Sequence, residues 1–202
     1  MKFILAILLS VFMTPAYCEH PITARSSMMD YEVLLKPKGE ADATKVLEDD
    51  FAFLKGKGLI PDDATLFVRK TDLLGEALSG RAIVVSERLA VKPREIRLFV
   101  LAHEGSHAQH DDAETRRSFI EDNVSPYASA TSMMEQYRAI QPELQKQAKV
   151  AELRADREAF LALKKAGVDA RLGVIAFFKA HEKADTQWHP SSKERLFALL
   201  KL

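Results

Sequence analysis

His103 and His107 stand one helical turn apart in the run Leu101-Ala-His103-Glu104-Gly105-Ser106-His107-Ala-Gln-His110, with Glu104 directly after the first histidine. This H-E-x-x-H spacing limits the possible folds more than any other feature of the chain. On an α-helix, residues i and i+4 share a face, roughly 6 Å apart at Cβ. Both imidazoles can then turn a nitrogen toward one Zn²⁺ at roughly 2.0–2.1 Å. Glu104 projects from the next position, where its carboxylate can take a proton from a metal-bound water and pass it to a leaving amine. The pattern thus requires a helix and points to zinc-dependent peptide hydrolysis. Two surface histidines on a solvated helix are the competing reading, and the preceding residues oppose it. Pro93 suits a first helical turn, and Ile96, Phe99, Val100 and Leu101 form an apolar run that has to be buried. Gly105 costs about 1 kcal/mol in a helix interior, so tertiary packing must hold this helix together.

A catalytic zinc site takes three protein ligands and keeps one position open. Glu152 is the candidate for the third ligand, giving a His₂Glu set with one Zn²⁺ per chain. It lies on a predicted helix in Glu152-Leu-Arg-Ala-Asp156, with Asp156 one turn further on the same face. A carboxylate at Asp156 can accept the free N–H of a ligand histidine and fix its tautomer. Arg154 and Arg157 alternate with these acids, so spacing alone equally permits a solvated charged face. His110 is a rival ligand, but reaching the same metal from the end of the same helix would strain it.

The chain has 202 residues, 47% of them hydrophobic, enough for one domain with a real core. Formal net charge is zero and no basic run stands out, so nucleic-acid binding has no support. The first residues differ in kind. Lys2 precedes an apolar run from Phe3 to Met13, followed by Thr14-Pro-Ala-Tyr-Cys18. This is the layout of a secretory signal peptide, too short to span a bilayer. Cleavage fits after Ala16 or after Cys18, leaving residues 19–202 as a single exported domain, periplasmic or secreted. Tyr17 before Cys18 does not suit a lipid-anchoring signal, and the single cysteine excludes a disulfide framework. No later stretch reads as a membrane helix.

The remaining pattern is mainly helical. A helix is expected over 40–55, with Val46, Leu47, Phe51 and Leu54 inward and Gly56-Lys-Gly58 ending it. Residues 28–35 suit either a strand or a helix. Thr65-Leu-Phe-Val-Arg69 and Ala82-Ile-Val-Val-Ser86 read as strands, each after a turn signal. The second, with Ile83, Val84 and Val85, suits an ordinary core strand and also one whose free edge pairs with an extended substrate, two readings that do not exclude each other. The zinc helix is expected over 91–110. Residues 112–141 are polar, with Pro126 and Pro142 as breaks, and suit a lid, a cleft wall or surface padding. A long helix is expected from Pro142 to Lys165. Another over 169–183 should have Leu172, Ile175, Ala176 and Phe178 inward. A last one follows Ser191, with a capping box to Glu194 and Leu196, Leu199 and Leu200 inward.

Taken in order, four pieces resemble the gluzincin metallopeptidase family that includes the CAAX prenyl protease and the bacterial HtpX-type and periplasmic chaperone-like proteases. These are Ala77-Leu78-Ser79-Gly80 with Ile83-Val-Val85; Leu101-Ala-His103-Glu104-Gly-Ser-His107; Glu152-Leu-Arg-Ala-Asp156; and His189-Pro190 with Arg195. The resemblance covers about residues 74–197. It implies a mainly helical α+β zincin domain with a small β-sheet beside the zinc-binding helix. It implies His103, His107 and Glu152 as zinc ligands and Glu104 as the base. It also implies that His189 faces the metal, stabilising the oxyanion or capping a closed state, and that Arg195 holds that loop or the acidic surroundings of the ligands. Three departures stand out. Leu74 occupies a position where the family often has Asn, Gly105 precedes Ser106 where the family usually has Gly directly before the second His, and the membrane helices of two branches are missing.

The expectation is an exported zinc endopeptidase acting on extended or misfolded polypeptides. The alternative is a zinc-containing binding or chaperone-like module with little turnover.

Overall fold

A computed structural model describes residues 36–180 and 186–202. The expected signal peptide and the undecided segment 28–35 lie outside the described residues. Helix α1 (Ala41–Gly56) is followed by strands β1 (Thr65–Arg69), β2 (Gly75–Leu78) and β3 (Ala82–Ser86). Helices α2 (Arg94–Gln109), α3 (Asp112–Asn123), α4 (Ala130–Lys165), α5 (Ala170–Ala180) and α6 (Ser192–Leu199) follow among the described residues. The domain is thus mainly helical α+β, with one small sheet. None of these helices is long and apolar enough to cross a membrane.

The sheet runs in the order β1-β3-β2, with β1 parallel and β2 antiparallel to β3. The hairpin between β2 and β3 turns through Ser79–Arg81, where Gly80 (φ 70°) and Arg81 (φ 58°) are both left-handed. This topology overturns the expectation that Ile83, Val84 and Val85 offer a free edge to substrate. Their strand is central, paired on both sides, and these three residues are at most 1% exposed. The run of β-branched residues reads as a strand because it is buried on both faces. Its short partner β2, Gly75-Glu-Ala-Leu78, carries no such signal.

Helix α2 crosses the middle of the domain and is buried from Leu98 to Ala108. Its Gly105 meets the chain at Leu59 and Ile60 so closely that a Cβ would lie 2.7 Å from Ile60 Cγ1 and 3.2 Å from the Leu59 carbonyl. The exchanged order of Gly105 and Ser106 follows, since one faces that loop and the other hydrogen-bonds Glu158. At its N-terminal end, buried Asp50 of α1 accepts from Arg94 Nε (3.1 Å) and Arg97 Nε (2.6 Å).

Helix α4 begins well before Pro142. Ser129 caps it, accepting from the Ser132 N–H, and it runs through the proline for 36 residues. Proline removes one ladder bond, but packing holds this region. Met133, Leu144 and Ala148 bury with Ile120 and Val124 of the α3 segment and with Trp188. The polar stretch 112–141 is therefore helical over most of its length. This small cluster is separate from the main core of α1, the sheet, α2, the C-terminal half of α4, α5 and α6.

Three helix faces differ from expectation. Val46, Leu172 and Leu200 are exposed, by 37%, 68% and 44%. In α5 the buried face is Ala170, Val174 and Phe178. Gly173 seats α5 against Glu95 of α2, where a Cβ would lie 2.7 Å from Glu95 Cβ, and this contact fixes the helix's rotation. Ser191 caps the last helix as expected, its hydroxyl accepting from the Glu194 N–H.

Candidate metal centre

Helix α2 presents His103, Glu104 and His107 from its buried middle, and α4 presents Glu152 opposite them. His103 Nε2 and His107 Nε2 face each other at 3.1 Å. Glu152 Oε1 is 3.4 Å from His107 Nε2, and Oε2 is 3.6 Å from His103 Nε2. Two ligand atoms 2.0–2.1 Å from a tetrahedral centre stand roughly 3.3 Å apart. The three residues thus already hold the separations that one zinc ion requires. Two imidazole nitrogens and a carboxylate are also a donor set that suits zinc. Among the described residues they form the one cluster of this kind.

Both imidazoles meet a carboxylate on the far side of the ring. Asp156 Oδ1 lies 3.0 Å from His103 Nδ1, off the ring N–H direction and so a close polar contact rather than an aligned hydrogen bond. Asp112 Oδ2 lies 2.7 Å from His107 Nδ1 in an aligned bond. Arg195 grips Asp156 with two bonds, Nε to Oδ2 at 2.6 Å and Nη2 to Oδ1 at 2.7 Å. Its Nη1 reaches Glu152 Oε2 at 3.1 Å. Arg195 therefore ties the acidic surroundings of the ligands together, one of the two places expected for it. Sequence reading missed Asp112. The available signal was an acid five positions beyond the second histidine, just past the end of α2.

Electrostatics follow from this packing. Burial pushes the Glu104 carboxyl up, against the pull of His103 and His107. A carboxylate moved upward toward neutral pH suits a general base. Burial pulls His107 down, but Asp112 and Glu152 outweigh it and raise the imidazole to about 9. Burial likewise pushes Glu152 up, and its hydrogen bonds to His107 and His189, with the charges of His103 and Arg195, carry it well below the ordinary range. Asp156 is held low by Arg195 and His103 in spite of its burial.

Gly75, at the start of β2, lies against Glu104. A Cβ there would stand 2.8 Å from Oε1 and 2.9 Å from Cγ. The strand backbone thus closes one side of the base. On another side, His189 Nδ1 is 3.5 Å from Glu152 Oε1, and the ring is half-exposed. Its loop is anchored by buried Trp188 and by the Thr186 hydroxyl, which accepts from the Trp188 and His189 N–H groups at 3.2 and 2.8 Å.

His110 does not join the cluster. Its Nε2 is 3.0 Å from Glu158 Oε2, to which Ser106 Oγ also donates at 2.6 Å, on the outer side of α2. Ile83, Val84 and Val85 are also absent from the site wall, inside the sheet.

A family model described as peptidase family M48 matches residues 73–202. The match runs from just before β2 to the last residue and includes every residue of the cluster. Neither a curated protein nor a solved structure matches the chain.

Proposed function

The chain belongs to peptidase family M48, a zinc metallopeptidase family, and on that premise we propose that it is an exported endopeptidase acting on extended or misfolded polypeptides. The observation that carries the reading is the mutual spacing of His103 Nε2, His107 Nε2 and the Glu152 carboxylate, 3.1 to 3.6 Å. These three residues would hold Zn²⁺. When bound, zinc supplies an acidified water and a Lewis acid for the scissile carbonyl. Glu104, buried and raised, receives the water's proton on its carboxylate and delivers it to the departing amine. His189, half-exposed beside Glu152, donates to the carbonyl oxygen as negative charge develops there. Arg195 and Asp156 keep Glu152 and His103 in register. Export rests on the charged, apolar and small-residue sequence of residues 1–18.

One feature favours a second reading, a zinc-containing binding module with little turnover. Leu74 offers only an apolar side chain where relatives often carry Asn, and its carbonyl is taken by the Ser86 N–H at 3.1 Å. A single experiment separates the two. Mature protein purified without chelator or metal-binding tag should contain about one zinc per chain. Glu152→Ala should lose it. Glu104→Gln should keep it while cleavage of a reduced, carboxymethylated polypeptide falls by about 10²- to 10⁴-fold, the range a positioned general base typically contributes. Zinc without cleavage in the wild type would leave the binding module. No zinc in the wild type, with the fold intact, would overturn both.

A further inference from the structure

Helix α3 begins in an unusual way. Asp111, the residue before it, is left-handed (φ 50°), and no side-chain cap bond is made there. A non-glycine residue in this region costs about 1 kcal/mol, so something outside the turn has to hold it. Arg81, itself left-handed, donates from Nε and Nη2 to the two Asp111 oxygens at 3.3 Å each, and its Nη1 reaches Asp63 at 2.8 Å. The consequence appears one residue on. The chain reverses between α2 and α3, and the first residue of α3, Asp112, is carried back onto the metal-facing helix. Its Oδ2 receives His107 Nδ1 at 2.7 Å, and Arg154 of α4 closes on the same oxygen.

An imidazole can offer Nε2 to a metal only when its ring proton sits on Nδ1. An ionised carboxylate only accepts hydrogen bonds, so beside Nδ1 it favours that tautomer and no other. Arg154 reaches the same Asp112 oxygen from α4, so the carboxylate is held between the His107 ring and a guanidinium. An ordinary acid in a first helical turn needs none of this. Glu114, in the same turn, pairs with Arg117 on the surface.

We propose that Asp112 is a positioning residue of the metal centre, holding His107 as the Nδ1–H tautomer with Nε2 turned to His103 and Glu152, while Arg154 holds Asp112. The inference rests on the metal-centre reading above, and the experiment separates the two. Full-length wild type, Asp112→Ala, Asp112→Asn and Glu114→Ala are compared by zinc competition against a chelator of known affinity, by visible absorption of the cobalt-substituted protein, and by circular dichroism. Asp112→Ala should bind zinc about 10- to 100-fold more weakly and show an altered cobalt band. Asp112→Asn, which keeps an acceptor oxygen without the charge, should lose a smaller factor, and Glu114→Ala should match wild type. A purely structural Asp112 would lower stability and leave the cobalt band of the folded protein unchanged. Wild-type affinity and cobalt band in Asp112→Ala would overturn this inference alone. If that variant does not fold, the same result in Asp112→Asn overturns it. A folded wild type that binds neither metal would overturn the metal-centre reading and this inference with it.

Discussion

The two histidines of the centre are held by arms of the same composition, imidazole to aspartate to arginine, set at different depths. In the His103 arm, the Asp156 side chain is 1% exposed and Arg195 15%. In the His107 arm, Asp112 is 12% exposed and Arg154 30%. The deep arm trades alignment for charge. Its imidazole contact is off-line, but its arginine makes two bonds to Asp156 and a third contact to Glu152. The shallow arm makes one aligned bond and one arginine contact. A buried carboxylate without its cation carries a large desolvation cost, whereas a partly solvated one recovers much of it from water. The same chemistry thus locks the fold in one arm and aims a ligand in the other.

That contrast is broken most severely at Arg195. Arg195→Met should leave Asp156 and Glu152 buried without their cation and cost about 3–5 kcal/mol of stability. It should also loosen zinc, because Glu152 loses its 3.1 Å partner. Urea unfolding of the metal-free protein reads the first effect, and chelator competition the second. Metal-free stability equal to wild type would show that depth does not separate the arms. Arg154→Met is the matched change in the other arm. With Arg154 nearly a third exposed, it should cost no more than about 1 kcal/mol. Its zinc affinity should fall less than that of Asp112→Ala, since the aspartate itself remains on His107. A larger stability loss than Arg195→Met would invert the ranking.

The arms also differ in how far the sequence reveals them. His103, Glu104 and His107 are legible because a helix converts spacing directly into a shared face. Glu152 and Asp156 share a face of α4 one turn apart, but with Arg154 and Arg157 alternating with them that spacing equally fits a solvated charged face, and it is the ordered resemblance of the four pieces that singles them out. Asp112 is not legible. It is nearer to His107 in sequence than Asp156 is to His103, yet its contact depends on a left-handed residue that periodicity does not register. Long-range order is hidden for a related reason. The runs at 65–69 and 82–86 mark two strands, but β2 between them is four residues of weak strand preference, and without it β3 looks like an edge. Helix rotation is lost where a glycine sets it. Gly173 brings α5 onto Glu95 and leaves Leu172 in solvent, against the apolar pattern. Pro142 hides the first half of α4, because its packing partners, Ile120, Val124 and Trp188, come from distant segments.

The smallest expected effect lies at the turn that makes the shallow arm possible. Asp111→Gly removes the contacts to Arg81, both partly exposed, a loss of about 0.2–1 kcal/mol. It also relieves a left-handed aspartate, a gain of about 1 kcal/mol. The two nearly cancel, so stability should stay within about 0.5 kcal/mol of wild type by urea unfolding. Zinc affinity should also hold, because glycine keeps the turn open to the same φ and Asp112 still arrives at His107 Nδ1. If Asp111→Gly weakened zinc as much as Asp112→Ala with stability unchanged, the Arg81 contact would itself belong to the arm. The depth comparison would then have to include a third residue, which holds the backbone rather than the ring.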